Sequence, residues 1–200
     1  STLALVKIHV IDVNDNKPEF SHQIFEGLIS EAAKLGTIVM TSDEKPLIIK
    51  ASDKDENDNG RLNYELVGSE GRKYFSVDKV TGAVRTAALL DHETMATIQF
   101  NVEVSDQGSP SLKSEATAKV IIHIDDINDN APIFTPANQS RVLMLPTSRG
   151  VHVAQVTAVD PDSKSSSDIT YRLIHNSSGS HHFQINSKSG ELTVADEKNL

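Results

Sequence analysis

The chain has 200 residues, carries 19 Lys and Arg against 28 Asp and Glu, and has a formal net charge of −9. This acidic balance argues against nucleic acid as a partner, because phosphate binding requires a basic surface. The sequence contains no Cys, so neither disulfides nor thiolate metal sites can form. No apolar run approaches the roughly 20 residues that span a bilayer.

Apolar and polar residues alternate in four segments, which in chain order are residues 3–10, 100–104, 120–124 and 151–156. Period-two alternation indicates antiparallel strands with one buried face. Turn signals such as Asn59-Gly60 and Thr81-Gly82 separate these segments. The pattern predicts an all-β fold, a seven-strand Greek-key sandwich of the immunoglobulin-like kind.

Two near-identical pentads reveal an internal repeat. Asp12–Asn16 (DVNDN) and Asp126–Asn130 (DINDN) lie 114 residues apart, and each is followed by Pro and Phe. Gly36 and Gly150 each lie 24 residues after the opening Asp, and the first copy carries a seven-residue insertion around residues 41–46. The repeat predicts three modules in a linear array: the end of one (1–16), a complete one (17–130) and the front of a third (131–200).

Acidic residues cluster at the predicted strand ends instead of spreading evenly. The clusters of the complete module comprise Glu31, Asp53, Asp55, Asp91, Glu93, Asp106 and the acids of the two pentads. Two carboxylates 4 Å apart repel by about 4 kcal/mol at an effective dielectric constant near 20. A solvated acidic surface would explain any single pair, but not clusters of acids and Asn that recur at fixed offsets. Ligand sets made only of oxygen suit a hard cation such as Ca²⁺.

One calcium motif is a false match. Residues 55–60 fit the first six positions of an EF-hand loop. Position 12 of that loop would be Leu66, where a bidentate Glu is required, and the flanking segments are predicted strands and not helices. The EF-hand interpretation is therefore rejected.

The order of the motifs resembles the extracellular cadherin repeat over essentially all 200 residues. The motifs are the two pentads with Pro18 and Pro132, the base residue Glu31, Asp53–Asn59 with Tyr64 beyond, Leu90–Glu93, and Val104–Gly108. Residues 46–51 are similar to the corresponding segment of the giant Fat-type cadherins. The resemblance implies tandem cadherin sandwiches joined by linkers that each hold three calcium ions.

The resemblance also implies a ligand set for each ion. At the first linker, the third ion would be bound by Asn14, the Asn16 carbonyl, Asp53, Asp55, the Asn59 carbonyl and Asp106. At the second linker, the first ion would be bound by Glu31, Asp91, Glu93 and Asp129, and the second by Glu31, Glu93, the Ile127 carbonyl, Asp129 and Asp162. The third ion there would be bound by Asn128, the Asn130 carbonyl, Asp160, Asp162 and the Ser166 carbonyl.

Three positions depart from the family pattern. Asn57 and Lys164 stand where the pattern has Gly, and Asn tolerates a left-handed backbone better than Lys. The base glutamate of the last module is replaced by Leu145, five residues before Gly150. We therefore expect a calcium-poor linker after that module.

Two other features carry expectations. Asn138 and Asn176 begin Asn-x-Ser sequons, which are N-glycosylation acceptors in secreted proteins. The pair His181-His182 has no third ligand nearby in the sequence and is predicted to be solvated.

The resemblance implies a non-enzymatic protein of calcium-dependent cell–cell adhesion or recognition. Its partners would be other cadherin ectodomains, homophilic or heterophilic, and its location the extracellular face of a cell, within a single-pass membrane protein. One alternative is a non-adhesive spacer stiffened by calcium. The other is a calcium-dependent carbohydrate-binding or enzymatic sandwich, which would need a concave site with convergent polar groups.

Overall fold

The computed structural model describes residues 3–162, 169–174 and 179–196. The chain divides into two compact units, Ser1–Asp125 and Asp126–Leu200. Strands dominate both units, which confirms the all-β prediction; the helical elements of the described residues are α1 (Ser69–Tyr74) and a 3-10 turn (Ser180–His182). No helix within the described ranges has the length and apolar character needed to cross a membrane.

Strands of the first unit form two layers. They are β1 (Glu19–Phe20), β2 (Ile24–Ser30), β3 (Ala51–Ser52), β4 (Asn63–Val67), β5 (Phe75–Val77), β6 (Val84–Thr86), β7 (Thr97–Ser105) and β8 (Ala118–Asp125). One layer is the sheet β2-β8-β7-β4. The other contains the pairs β1-β3 and β5-β6, and bridges at Ile38–Arg85 and Ile48–Ala83 tie the intervening chain to this layer.

Alternation along β7 and β8 builds the core, as the sequence predicts. Every second residue of β7 from Ile98 to Val104 is buried, and Phe100 lies opposite Val120 of β8 in the register. The ring of Phe100 stacks on Phe75 with 5.8 Å between the ring centroids. Burying one such side chain contributes about 1.5–3 kcal/mol.

The pairing of β2 with β8 is parallel, whereas the sequence predicted antiparallel strands. After β1 the chain leaves the β3 side, where Ser21 N donates to Lys50 O, and crosses to β8, where Lys119 N donates to Gln23 O. The first long strand thereby runs beside the last in the same direction. Hydrophobic periodicity reports which face of a strand is buried and carries no information about the direction of its neighbour.

The second unit repeats local details of the first. Its strands are β9 (Ile133–Phe134), β10 (His152–Gln155), β11 (Ala158–Val159), β12 (Phe183–Ile185) and β13 (Glu191–Val194), in the sheets β10-β13-β12 and β11-β9. The backbone N–H of Ala158 donates to the Tyr171 hydroxyl at 2.9 Å, as that of Ala51 does to the Tyr64 hydroxyl at 3.0 Å. The two units therefore share one construction.

Two further sequence predictions, for residues 3–10 and for His182, are wrong, and one helix was missed. Residues 3–10 form no strand, since no described residue pairs with their backbone, and Leu3 and Leu5 are 98% exposed. The helix α1 was not predicted; it places Gly71 so close to the Phe100 side chain that a Cβ would overlap it. His182 is buried, not solvated, and its Nδ1 lies 3.2 Å from the Asp196 carbonyl.

Candidate metal sites

Residues 12–16 lie against the loop that follows β3 in the first unit. The backbone N–H groups of Asp15 and Asn16 donate to Asp55 Oδ2 at 3.1 and 3.0 Å. The side-chain amide of Asn16 donates to Asp55 Oδ1 and, at 2.9 Å, to Asp15 Oδ1. Asp55 in turn donates its backbone N–H to Asp53 Oδ1 at 3.0 Å. Four of the acids and amides of the two motifs thus meet at one end of the unit.

Asn14 and Asp53 each bury an oxygen that has no hydrogen-bond partner among the described residues. The amide of Asn14 is oriented by a 2.7 Å bond from Nδ2 to Pro110 O, which leaves Oδ1 buried and unsatisfied. Oδ2 of Asp53 is likewise buried and has no hydrogen-bond partner among the described residues. A buried polar atom without a partner costs about 1–3 kcal/mol. A cation that both oxygens coordinate would remove this cost.

Asp106 and Gly108, on the loop after β7, complete this end. Asp106 is 2% exposed, and its Oδ1 accepts the N–H groups of Gly108 and Leu112, both at 3.0 Å. A Cβ on Gly108 would overlap the Asn14 amide and crowd Asn59 Oδ1. Gly108 is therefore the residue that lets the Asn14 and Asn59 side chains approach the loop.

The electrostatics of Asp55 favour an ionised carboxylate. The N–H of Asn16 lowers the pKa of Asp55 the most, and the Asn16 amide and the Asp15 N–H lower it further, while partial burial acts in the opposite direction. All six residues predicted for the third ion of the first linker lie on the first unit and belong to this hydrogen-bonded end: Asn14, Asn16, Asp53, Asp55, Asn59 and Asp106. We call this end the upper site.

Asp12 is a residue of this end to which the sequence analysis gave no role. Its Oδ2 accepts the backbone N–H of Glu56 and the side-chain amide of Asn59, both at 3.0 Å. The repeat does mark this position in the sequence, because Asp12 is the first residue of the pentad that recurs at Asp126. Asp12 fastens residues 12–16 to the loop of the upper site.

The acids Glu31, Asp91 and Glu93 occupy another part of the first unit, after β2 and before β7. Glu31 is buried; it donates its N–H to Asp125 O at 3.1 Å, and its Oε2 accepts the N–H of His92 at 2.6 Å. The His92 ring lies 2.6 Å from the Ile124 carbonyl. The backbone of His92 thus holds Glu31 beside the two acids that flank His92.

Asp91 and Glu93 are exposed. The hydroxyl and N–H of Thr94 donate to Asp91 at 2.8 and 3.1 Å, and these bonds lower the pKa of Asp91. We call Glu31, Asp91 and Glu93 the lower carboxylates.

The second unit repeats the hydrogen bonds of the upper site. Asn130 donates its N–H to Asp162 Oδ2 at 3.2 Å and its amide to Asp162 Oδ1 at 2.9 Å and Asp129 Oδ1 at 2.8 Å. Asp162 donates its N–H to Asp160 Oδ1 at 3.1 Å. These four bonds match four of the five bonds among Asp15, Asn16, Asp53 and Asp55.

Burial differs between the two units, because Asp53 and Asp55 are half-buried and their counterparts in the second unit are buried. Asp160 and Asp162 are 8% and 1% exposed, whereas Ile127, Asn128 and Asp129 are exposed. Ser166 and Lys164 lie outside the described residues. Carboxylate, amide and carbonyl oxygens make up both ligand sets, and a hard cation such as Ca²⁺ prefers such oxygens. The residues present therefore fit the predicted metal.

The two sequons fall in different parts of the chain. Asn138 is exposed, and Asn176 lies outside the described residues. Their glycosylation stays a prediction.

Comparison with known proteins gives the family. A family model described as the cadherin domain matches residues 27–123 and 145–197. Human protocadherin Fat 1 is 38% identical over 200 residues, which cover all of this chain and 4% of that protein. Human cadherin EGF LAG seven-pass G-type receptor 3 is 36% identical over 191 residues, 94% of this chain and 5% of that protein. The crystal structure of mouse cadherin-23 EC22-24 has a TM-score of 0.77 at 26% identity, over 92% of this chain and 55% of that chain.

The all-β fold and the two segments that match the family model define a chain of cadherin-domain class. The chain belongs to the cadherin family, whose members are adhesion proteins and not enzymes. The likeness to human protocadherin Fat 1 agrees with the expected Fat type. The chain spans about 4% of the length of these Fat relatives.

Proposed function

We propose that the chain is a calcium-stiffened segment of an adhesion ectodomain. The observation that supports calcium most directly is the pair of buried oxygens, Asn14 Oδ1 and Asp53 Oδ2, that lack a hydrogen-bond partner among the described residues. Together with the ionised Asp55 they form an all-oxygen set on one unit. Ca²⁺ accepts six to eight such oxygens, and extracellular modules bind it at about 10⁻⁴–10⁻³ M.

The same proposal gives the two units a common joint. The lower carboxylates belong to the first unit, and Asp129, Asp160 and Asp162 belong to the second. We propose that these six acids share three calcium ions, whose six positive charges balance them. When calcium is removed, the carboxylates repel one another and the joint bends; when calcium is bound, ligands from both units are held by the same ions and the joint stiffens.

The relatives support a proposal for the role of the parent protein. Cadherins of the cell surface present extracellular repeats, and we propose the same location and a single-pass parent for this chain. Stiff repeats hold an adhesive surface at a fixed distance from the membrane, so the chain would act in calcium-dependent recognition of other cadherin ectodomains. A spacer without an adhesive face of its own remains the alternative role.

The test is calorimetric titration with calcium, combined with small-angle scattering, on the chain and on Asp129→Ala. Asp129 is predicted to bind two ions of the joint, so the variant should lose most of the calcium bound there and should not straighten when calcium is added. The ion of the upper site should still bind. Glu70→Gln, which removes an exposed acid on α1, is the charge-matched control and should titrate as the unmodified chain does.

Unchanged stoichiometry in Asp129→Ala would contradict the shared joint.

To separate adhesion from a spacer role, beads coated with the chain are mixed in calcium and in chelator. Aggregation only in calcium supports an adhesive face in these repeats, and its absence supports the spacer.

A further inference from the structure

Asn59 combines a reactive sequence with a structural task. It is followed by Gly60, the one Asn-Gly pair of the chain. Its side-chain amide donates to Asp12 Oδ2 at 3.0 Å, the same oxygen that accepts the N–H of Glu56 at 3.0 Å. Asn59 and Gly60 are half-buried, at the end of a loop whose residues 56–58 are exposed.

We propose that Asn59 is a site of spontaneous deamidation, and that its conversion detaches Asp12 from the loop of the upper site. This proposal does not depend on bound calcium, because it concerns hydrogen bonds made by the protein alone.

The reaction needs only water. The backbone nitrogen of Gly60 attacks Cγ of Asn59, a C–N bond forms, and the side-chain nitrogen leaves as ammonia. The five-membered imide that results is opened by water at either carbonyl, which gives Asp or iso-aspartate at position 59. No electron is transferred, and the net change replaces NH₂ by OH. Gly60 favours the attack because no side chain shields its nitrogen and its backbone is the least restricted of any residue.

Conversion reverses the interaction with Asp12. The amide of Asn59 is a donor, whereas the new carboxylate is an acceptor only and carries a negative charge. Asp12 would then face a like charge at hydrogen-bond distance in place of a donor, and like charges at that distance repel. Iso-aspartate adds a methylene to the backbone as well, which shifts the Asn59 carbonyl. Asp12 should therefore release the loop, and Glu56 should lose its acceptor.

The folded loop also restrains the reaction. A Cβ at Gly60 would overlap the Asp55 carbonyl, so the backbone of residue 60 packs closely against residue 55. With the Asn59 amide bonded to Asp12, the attack requires the loop to open. Asp12→Ala removes that bond and should accelerate deamidation several-fold.

The experiment incubates the glycan-free chain in mildly alkaline buffer with chelator and follows peptides by mass spectrometry. The peptide with Asn59 should gain the mass of an amide-to-acid conversion several-fold faster than the peptide with Asn186, which is followed by Ser187. Asn59→Gln, whose longer side chain would form a six-membered ring, should lose the gain. Equal rates at Asn59 and Asn186, or a gain that persists in Asn59→Gln, would overturn the proposal.

Hydrogen exchange in chelator tests the structural consequence. Amide exchange at Glu56 should be faster in the aged chain and in Asn59→Asp than in the fresh chain, and Asn186→Asp serves as the control with the same added charge. Unchanged protection of Glu56 in Asn59→Asp would show that the Asp12 contact survives, and would overturn the second half of the proposal. Both measurements are made without calcium, so their failure leaves the proposed calcium binding untouched.

Discussion

Asn14 shows how a single side chain can join structure and function at the upper site. Its Nδ2 donates to Pro110 O, and its Oδ1 is buried without a hydrogen bond to any residue that the structure describes. The stability of the metal-free fold gains nothing from that oxygen. Such an arrangement is expected where an atom serves a ligand that is bound only in the functional state.

Asn14→Ala is predicted to abolish the ion of the upper site while leaving the calcium-free fold almost as stable. The variant loses one hydrogen bond, worth about 0.5–1.5 kcal/mol, but it also loses a buried unsatisfied oxygen that costs about 1–3 kcal/mol. Urea unfolding in chelator should therefore show a loss of stability no larger than about 0.5 kcal/mol, and any gain should not exceed about 2.5 kcal/mol. In the presence of calcium, the variant should bind one ion fewer than the unmodified chain. Calcium should also no longer stabilise its first unit.

The matched control for this prediction is Asn101→Ala, which removes an exposed amide from the outer face of β7. It should bind calcium as the unmodified chain does. Full calcium stoichiometry in Asn14→Ala would show that the Asn14 oxygen is not a ligand.

The identity of the upper-site residues could be predicted from sequence, but their contacts could not. The recurrence of acids with Asn at fixed offsets identified Asn14, Asp53 and Asp55. The resemblance to the cadherin repeat indicated that Asn57 stands where the pattern has Gly, and Asn57 does have a left-handed backbone with a φ of 55°. The roles of Asp12 and Gly108 depend on which loops approach each other, and that proximity is set by the packing of strands far apart in sequence.

Among the elements, the insertion around residues 41–46 forms a tightly bonded turn. Thr41 N donates to Lys45 O at 2.7 Å, and the Met40–Pro46 bridge lies just outside it. The Thr41 hydroxyl and the Lys45 ammonium donate to the two oxygens of Asp43 at 2.8 and 2.7 Å. These contacts lower the pKa of Asp43 from 3.8 to about 2, and the hydrogen bond from Lys45 has the largest effect.

This turn gives a pH-dependent prediction. Because the pKa of Asp43 is lower in the folded chain than its ordinary value, its contribution to stability is complete above pH 3.8 and is lost as the pH falls towards 2. The melting temperature of Asp43→Asn should be slightly below that of the unmodified chain at neutral pH, because exposed ion pairs contribute little. The gap should close on acidification.

Differential scanning fluorimetry across this pH range measures the gap. Glu44→Gln, a neighbour with the same charge, is the control and should show no such convergence. A gap that stays constant down to the lowest pH would mean that Asp43 has an ordinary pKa in the folded chain.

For the whole molecule, a comparison of the two units shows which parts of the fold can be predicted from the sequence. Features fixed by local chemistry recur in both units: Gly36 and Gly150 have φ angles of 79° and 85°, and each donates its N–H to the end of a strand, at Thr86 O and Val194 O. No local sequence pattern predicts the parallel pairing of β2 with β8 or the short helix α1. They follow from how the layers close around the core.

The match between the two units also shows where the second unit departs from the cadherin pattern, which is at Leu145. Counting back five residues from the two glycines gives Glu31 in the first unit and Leu145 in the second. Glu31 is buried and bonded to the His92 backbone, while Leu145 is 58% exposed. No Asp or Glu occurs between Asp129 and Asp160, and Arg141 and Arg149 stand in that stretch. The second unit therefore has no carboxylate at the sequence position equivalent to Glu31, and the nearest charged residues in that stretch are cationic.

We predict that any repeat joined to the second unit is linked without the two ions that depend on a base glutamate. In a parent chain that carries such a repeat, calcium calorimetry should find fewer ions than the three per joint implied for a complete linker, and scattering should show a bend that added calcium does not straighten. Leu145→Glu should raise the calcium stoichiometry and stiffen that joint, because it supplies the missing ligand; Leu145→Gln, of the same size but uncharged, is the control. A full set of ions at the unmodified joint would show that another residue replaces the base glutamate.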